Sequence, residues 1–475
     1  MNKKIKAVIC RIFVLIFFLC IGMSMLNINL IKAYASTSDN KWDDTWHISK
    51  DGLYSYYVSK DGKLAKIFYY EGPWNIKKLV IPKTIDGYVV TSIGNREPEI
   101  QWPRPFHYLK DSVEEIEIPD TVTEIGTETF AYLSKLKKVK MPGHIKTYAD
   151  RLFLGCTSLK EIPFPKQLKT IGDYAFGETA ITNINLPDSI TYIGDNAFSN
   201  CTNLKGMNLP NSITYIGDSV FWGCTNLKEM NLPNSITYIG VNVFWGCTNL
   251  EKVNWPSNLD RIPGGIFNDT AIKEMIIPDS VTAIETCAFR FCKDLKYIKF
   301  SKNLTYVGYQ AFDGTGWLAS RQKEDYTIIN DTIMLSYNSD EESPVIPDGT
   351  KFIADTAFAN KSMTEIIIPD SVEYIGRYAF SNCTNLKKVI LPKNLKEIND
   401  CVFCHNTALE SIKLPDSVIT IGWRAFEECN KLKEIEVGPN IKQVEMDAFS
   451  ETTWLKTKSG DEYVMQIRYG SNHLR

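Results

Sequence analysis

The sequence predicts a β-rich repeat solenoid: a right-handed stack of 22–23-residue coils with hairpin caps and one inserted hairpin. Three observations predict it. Asn208 to Val253 writes one 23-residue sentence twice, NLPNSITYIGDSVFWGCTNLKEM and then NLPNSITYIGVNVFWGCTNLEKV. Proline anchors recur at Pro119, Pro142, Pro165, Pro187, Pro210, Pro233, Pro256 and Pro278, each 22 or 23 residues apart. Apolar residues recur at fixed offsets from each anchor. A fixed period of this size marks coils that bury their apolar faces against each other and need caps at the ends.

One unit can be read from Leu227 to Cys247. The alternation Met230-Asn231-Leu232 suits a strand with one buried face. Pro233 cannot donate a ladder hydrogen bond and stops the strand. Ile236 and Ile239 turn inward. Gly240 is expected to supply a backbone conformation that other residues resist. Phe244 plugs the interior, and Cys247 packs beside it as a small apolar group.

The chain has 475 residues, 44% hydrophobic and 23% charged. Length alone suggests about three globular domains, and the repeat overrides that expectation. Residues 1–35 read as a signal peptide. Lys3, Lys4, Lys6 and Arg11 precede the apolar run Ile12–Ile21, and Ala33-Tyr34-Ala35 is a small-x-small cleavage site before Ser36. The alternative is an uncleaved membrane anchor, since Ile12–Leu30 is nearly long enough to span. The membrane is expected to matter only through that segment. Five of the 53 basic residues and none of the 56 acidic ones lie in it, which leaves 48 against 56. A mildly acidic chain is a poor partner for nucleic acid, which calls for basic patches.

Ten cysteines follow the signal segment. Seven of them, Cys156, Cys201, Cys224, Cys247, Cys292, Cys383 and Cys429, stand three residues after the repeat phenylalanine. Parallel side chains one strand spacing apart suit disulfide geometry poorly, so buried free thiols are expected. Cys401 and Cys404 form a lone C-x-x-C with no second pair, a weak signal for a metal. No cofactor and no metal are expected.

Along the chain, residues 36–78 form an N-terminal hairpin cap, with Tyr54–Val58 and Leu64–Tyr70 flanking Asp61-Gly62. The first part of the solenoid covers residues 79–314. Its first coil is interrupted by Asn95–Leu109, an aromatic loop that either touches a ligand or folds back over the flank. Residues 315–346 depart from the period and read as an inserted hairpin, Tyr326–Ile329 and Thr332–Tyr337 around Asn330-Asp331, replacing one coil. The second part covers 347–455, with anchors at Pro347, Pro369, Pro392 and Pro415. Residues 456–475 form a C-terminal cap or tail. Thr453-Trp454-Leu455 and Glu462-Tyr463-Val464 parallel Gly316-Trp317-Leu318 and Asp325-Tyr326-Thr327.

The motif IPDSVxxI…AFxxCxxL at Ile277–Leu295 and Ile368–Val389 resembles the BspA-like leucine-rich repeats. KLAKIFYYEGPWNIKKLVIPKTIDGYVVTSIG, Lys63–Gly94, resembles the usual start of those proteins. The resemblance covers about Lys63 to Leu455. It implies a solenoid of leucine-rich-repeat type in a bacterial secreted or cell-surface protein, and several members are linked to adhesion to host matrix proteins or other cells. This sequence shows no sorting signal or wall-binding repeat, so release is expected alongside surface display.

Catalytic motifs are absent. His47, His107, His144, His405 and His473 are scattered, and there is no H-E-x-x-H, G-x-S-x-G or P-loop. Two columns are binding candidates instead. The outward strand position reads Asn185, Asn208, Asn231, Asn254, then Ile276, with Ile367 and Ile390 further on. Either the asparagines bond along the ladder and the isoleucines favour strand, or the column is a ligand surface. Trp222 and Trp245 follow the repeat phenylalanine one period apart and are expected to stack. They either pack on the outer turn or form an aromatic binding pair. The expected function is non-catalytic, adhesin-like recognition of a host matrix or cell-surface protein, or of a glycan. The alternatives are a structural spacer and a secreted carbohydrate-active enzyme, which would need paired carboxylates converging in a pocket.

Overall fold

The computed structural model describes residues 41–94 and 104–469; the expected signal peptide and residues 95–103 lie outside them. The period becomes a β-solenoid with little helix. Most coils make two short strands, which pair in parallel with their equivalents one period on in runs of two to five. On one side Asn183–Asn185 pairs with Gly206–Asn208, placing Ile184 beside Met207. On the other, Tyr192–Ile193, Tyr215–Ile216 and Tyr238–Ile239 form one ladder. The anchor proline lies between the two strands, where its carbonyl accepts from the amide three residues on, as in Ile213 N to Pro210 O at 3.1 Å.

The repeat phenylalanines form the interior. From Phe106 to Phe312 each ring lies 5.3–5.9 Å from the next, with planes within 21° of parallel. A second stack runs from Tyr337 through Phe358, Phe380, Phe403 and Phe426 to Phe449, at 4.9–5.6 Å. Around each phenylalanine of the two stacks after Phe106 the backbone turns a corner by placing residues in left-handed conformation two before and two after it. Asn196 and Asn200 flank Phe198, and Tyr378 and Asn382 flank Phe380. Alternate amides then reach the next coil: Asn196 N to Asp218 O (2.8 Å), Phe198 N to Val220 O (3.0 Å) and Asn200 N to Trp222 O (2.6 Å).

The glycine after the second strand has a different reason from the one expected. Gly240 is not among the residues with positive φ. A Cβ there would overlap the Asp218 carboxylate and its backbone, and Gly194 and Gly217 stand in the same relation to Asp173 and Asp195. The space is used by a ladder of carboxylates. Asp150 Oδ1 accepts from Asp173 N (2.9 Å), Asp173 from Asp195 N (2.8 Å), Asp195 from Asp218 N (2.8 Å) and Asp218 from Val241 N (2.9 Å). Burial, with the Asp150 charge adding to it, pushes the Asp173 carboxyl up to about 6. Burial also raises Asp195 and Asp218 above the usual carboxylate range.

The cysteine column is polar in purpose. Cys224 Sγ donates to Phe198 O at 3.2 Å and Cys247 Sγ to Phe221 O at 3.1 Å. Asn406, in a cysteine position, does the same to Phe380 O at 3.0 Å. Each adds a donor to a carbonyl beside the ring stack; Phe198 O also accepts from Cys201 N at 3.2 Å and Phe221 O from Cys224 N at 3.1 Å. Burial pushes Cys156 up to about 12 and Cys201 up to about 11.

The ends and the interruption differ in detail from expectation. Tyr54–Ser59 and Leu64–Tyr70 pair antiparallel, and Trp42–Ile48 adds a third strand. Leu64–Tyr70 then pairs in parallel with Tyr88–Ile93, which covers the open edge of the first coil. Pro105–Leu109 is not a loop laid over the flank, because buried Phe106 heads the first ring stack. The inserted strands are Tyr326–Ile329 and Ile333–Tyr337. The tail repeats Trp317 as Trp454 but continues as the helix Lys458–Tyr469 where the insertion has strands.

Two outcomes are expected. A carboxyl whose folded pKa lies above its unfolded value of 3.8 holds its proton more tightly in the fold. Its contribution is therefore lost as pH rises toward 6 and regained as pH falls through that window. The urea midpoint should rise from pH 7 to pH 5, and Asp173→Asn, which keeps an acceptor for Asp195 N, should flatten the rise. Nearer pH 4 the trend reverses, because Lys137 and Lys77 hold Glu114 down at about 2 and its pairing is lost as it protonates. Secondly, the ladder thiols should resist an aromatic disulfide reagent at pH 8 in the native protein and react at once after denaturation, as a colorimetric titration would show.

Candidate functional site

The three-residue strands alternate exposed, buried, exposed, so Ile184, Met207, Met230 and Val253 point into the core. Their neighbours Asn185, Asn208, Asn231 and Asn254 point out. Parallel register aligns Asn185 with Asn208, and an isolated bridge aligns Asn208 with Asn231. The preceding outward column is Asn183, Gly206, Glu229 and Lys252. Gly206 has no side chain, and the face there is a trough of about 730 Å³ lined by both columns. Its one carboxylate is Glu229.

The four asparagines are not equivalent. Asn254 Nδ2 donates to Leu232 O at 2.9 Å and its Oδ1 accepts from Leu232 N at 2.8 Å. It takes the place of a backbone partner, and its strand is only Lys252–Val253. Among the described residues, the amides of Asn185, Asn208 and Asn231 have no protein partner and face the trough. Each therefore offers a donor and an acceptor to whatever occupies it.

The other candidates lie apart. Ile276 continues the column, 59% exposed, but does not line the trough. Ile367 and Ile390 pair with each other in the second part of the solenoid and are also exposed. Trp222 and Trp245 are each 42% exposed and line a different edge. They do not stack: among the described residues no ring contact joins them. Trp245 lies instead against Gly265 of the next coil.

One further column is not among the candidates read from the sequence. Tyr192, Tyr215 and Tyr238 stack at 4.6 and 4.7 Å with planes within 10° of parallel on the second strand face. The signal was present, since SITYIG is written three times. Thr191, Thr214 and Thr237 flank the stack, and Thr237 Oγ1 donates to Thr214 O at 3.1 Å. Among the described residues no group of three or more His, Cys, Asp or Glu is placed to hold a metal ion.

A solenoid of 22–23-residue coils with parallel strand ladders and a periodic apolar interior is the architecture of a leucine-rich-repeat protein. Residues 104–228, 214–337 and 351–471 match the BspA type leucine rich repeat region, and the chain belongs to that family. A leucine-rich repeat protein from Bacteroides ovatus is similar at 30% identity, over 81% of this chain and 92% of that one, with a TM-score of 0.51. A leucine rich cell surface protein from Faecalibacterium prausnitzii is 24% identical over 89% and 98%, with a TM-score of 0.35. A leucine-rich repeat protein from Eubacterium ventriosum is 18% identical over 86% and 94%, with a TM-score of 0.37. No curated protein matches the chain.

The difference among the asparagines is measurable. Asn254→Ala leaves the Leu232 amide and carbonyl unpaired and should cost about 1–3 kcal/mol. Asn208→Ala removes a solvated side chain and should stay within about 0.5 kcal/mol of the parent. Urea denaturation of both variants checks the contrast.

Proposed function

We propose that this protein is a non-catalytic binding protein, secreted or displayed at a bacterial cell surface, that recognises a protein or glycan surface through the asparagine trough. One observation carries the reading: Asn185, Asn208 and Asn231 present three unpartnered amides at strand spacing on a backbone fixed by ladders on both sides. Such a row binds without the entropic cost of first ordering its supports. The amides are uncharged, which suits hydroxyl or peptide groups better than ions. The repeat means that an elongated ligand lying along the stack meets the same group once per coil. Family membership supports a repeat-based binding role, and the basic start, apolar run and Ala-x-Ala site of residues 1–35 support export.

The test is binding of residues 36–475 to host matrix proteins, bacterial wall polysaccharide and host cells, beside an Asn208→Lys, Asn231→Lys variant and a Trp222→Ala, Trp245→Ala variant. Saturable binding that the lysine variant loses by tenfold or more, about 1.4 kcal/mol, is the expected result. Binding that it retains removes the trough from the reading, and loss in the tryptophan variant alone moves the site to that edge. No binding to any of the panel favours a spacer. Export is checked by sequencing the N-terminus of protein from the culture medium, where Ser36 is expected first.

A further inference from the structure

The middle of the chain carries the same devices as its two ends. At Thr315–Leu318 the first ring stack stops. Thr315 Oγ1 accepts from Leu318 N at 3.1 Å, Trp317 N donates to Leu295 O at 2.6 Å, and the buried Trp317 ring lies 5.2 Å from Phe312 at 55° to it. At Thr452–Leu455 the second stack stops in the same way. Thr452 Oγ1 accepts from Leu455 N at 3.1 Å, Trp454 N donates to Leu432 O at 2.7 Å, and Trp454 lies 4.8 Å from Phe449 at 60°. A ring turned across the stack offers no parallel face to a further coil, so it works as an end.

The chain after Trp317 starts again in the manner of the N-terminus. In the first cap Tyr54 sits opposite Tyr70 in an antiparallel pair with rings 5.5 Å apart, and Tyr70 lies 6.4 Å from Phe106, the first ring of its stack. In the insertion Tyr326 sits opposite Tyr337 in an antiparallel pair with rings 5.2 Å apart, and Tyr337 lies 5.1 Å from Phe358. The second strand of each hairpin then pairs in parallel with the next coil, Leu64 beside Val89 and Ile333 beside Phe352.

The junction between the two lacks what joins coils elsewhere. Even where a strand ladder breaks elsewhere, backbone bonds at the phenylalanine corner still join the coils, as in Asn242 N to Gly264 O (3.0 Å) and Tyr378 N to Asp400 O (3.1 Å). Among the described residues, no backbone–backbone hydrogen bond joins 104–314 to 326–469. The contact is a side-chain bond, Asn330 Nδ2 to Ser301 O at 2.7 Å, and apolar packing such as Tyr306 against Phe352 at 5.5 Å. The buried core changes over across the hairpin and the coil after it. Ile329, Ile333, Phe352 and Ala354 pack with the first cluster, and Met334, Tyr337 and Ile353 with the second.

We propose that the chain is two separately capped solenoids placed end to end, and that residues 320–469 are an autonomous folding module rather than a continuation of the first stack. The amide column then belongs to one module and exposed Val345, Ile367 and Ile390 to another. The two faces have different chemistry and can be kept or lost separately. The proposal does not depend on what occupies the trough.

Hydrogen exchange across the full chain tests it, comparing the parent with Phe380→Ala and Phe221→Ala. Phe380→Ala should speed exchange at least about tenfold through residues 345–455 and leave 115–314 at the parental rate. Phe221→Ala should do the converse, with the step in both falling between Trp317 and Tyr326. Where an alanine variant is too unstable to purify, Phe380→Leu and Phe221→Leu give the same comparison at smaller amplitude. A rise that crosses Trp317 without a step, or loss of protection throughout the chain from either substitution, overturns the proposal. As a second readout, trypsin acting on the native chain should nick first at Arg321 or Lys323, in the turn after Trp317, and leave two fragments that both remain protected. Immediate degradation of either fragment counts against it.

Discussion

The whole molecule depends on repeating one buried contact, ring on ring, at the spacing that backbone pairing allows. A coil cannot choose its own interior. Its phenylalanine must lie parallel to the one before it, because strands on two sides and amides at the corner fix the translation from coil to coil. Packing and hydrogen bonding therefore set the same number independently, and a residue that suits one and not the other is excluded. Phe221 and Phe244, identical in position and surroundings, show the rule at its simplest.

Such an interior buries polar groups at the corners, and small repeated devices satisfy them. Many of the phenylalanine carbonyls are met by a thiol of the next coil, Phe380 O by the amide of Asn406, and others by a threonine hydroxyl of the same coil, as Thr270 does for Phe267. The amide beyond each glycine is met by an aspartate from the coil before, and glycine is there to leave that carboxylate room. Corner residues as bulky as Tyr174 and Arg424 adopt the left-handed conformation that glycine would reach more easily. Tertiary pairing on both sides holds them there, since no isolated turn would.

Much of this was legible in the residues. The doubled sentence at Asn208–Val253 carries period, strand, turn and core together, because a repeat constrains every position many times over. The proline anchors placed the strand ends. Features set by neighbours in space were harder. Gly240 reads as a conformational residue until Asp218 is seen above it. Trp222 and Trp245 share a period, yet each indole has its own neighbours, so equal spacing did not become contact. Phe106 was hidden by the irregular residues before it. The asparagine column was predicted as a set and is one, except that Asn254 is occupied by Leu232. Periodicity cannot separate a bonded amide from a free one, because the distinction lies in where the adjacent strand stops.

The two aromatic columns use the same period differently. Equivalent rings repeat at 4.6–4.7 Å along Tyr192, Tyr215 and Tyr238, but at 5.4–5.9 Å along Phe176, Phe198, Phe221 and Phe244. Backbone bonds join the coils at both places, as in Thr237 N to Thr214 O (2.9 Å) and Phe221 N to Val243 O (2.9 Å), so the wider separation belongs to the rings and not to the main chain. The tyrosines lie nearly face over face, and the phenylalanines slide past one another. One period thus yields two kinds of aromatic surface, a flush one open to solvent and a staggered one closed to it.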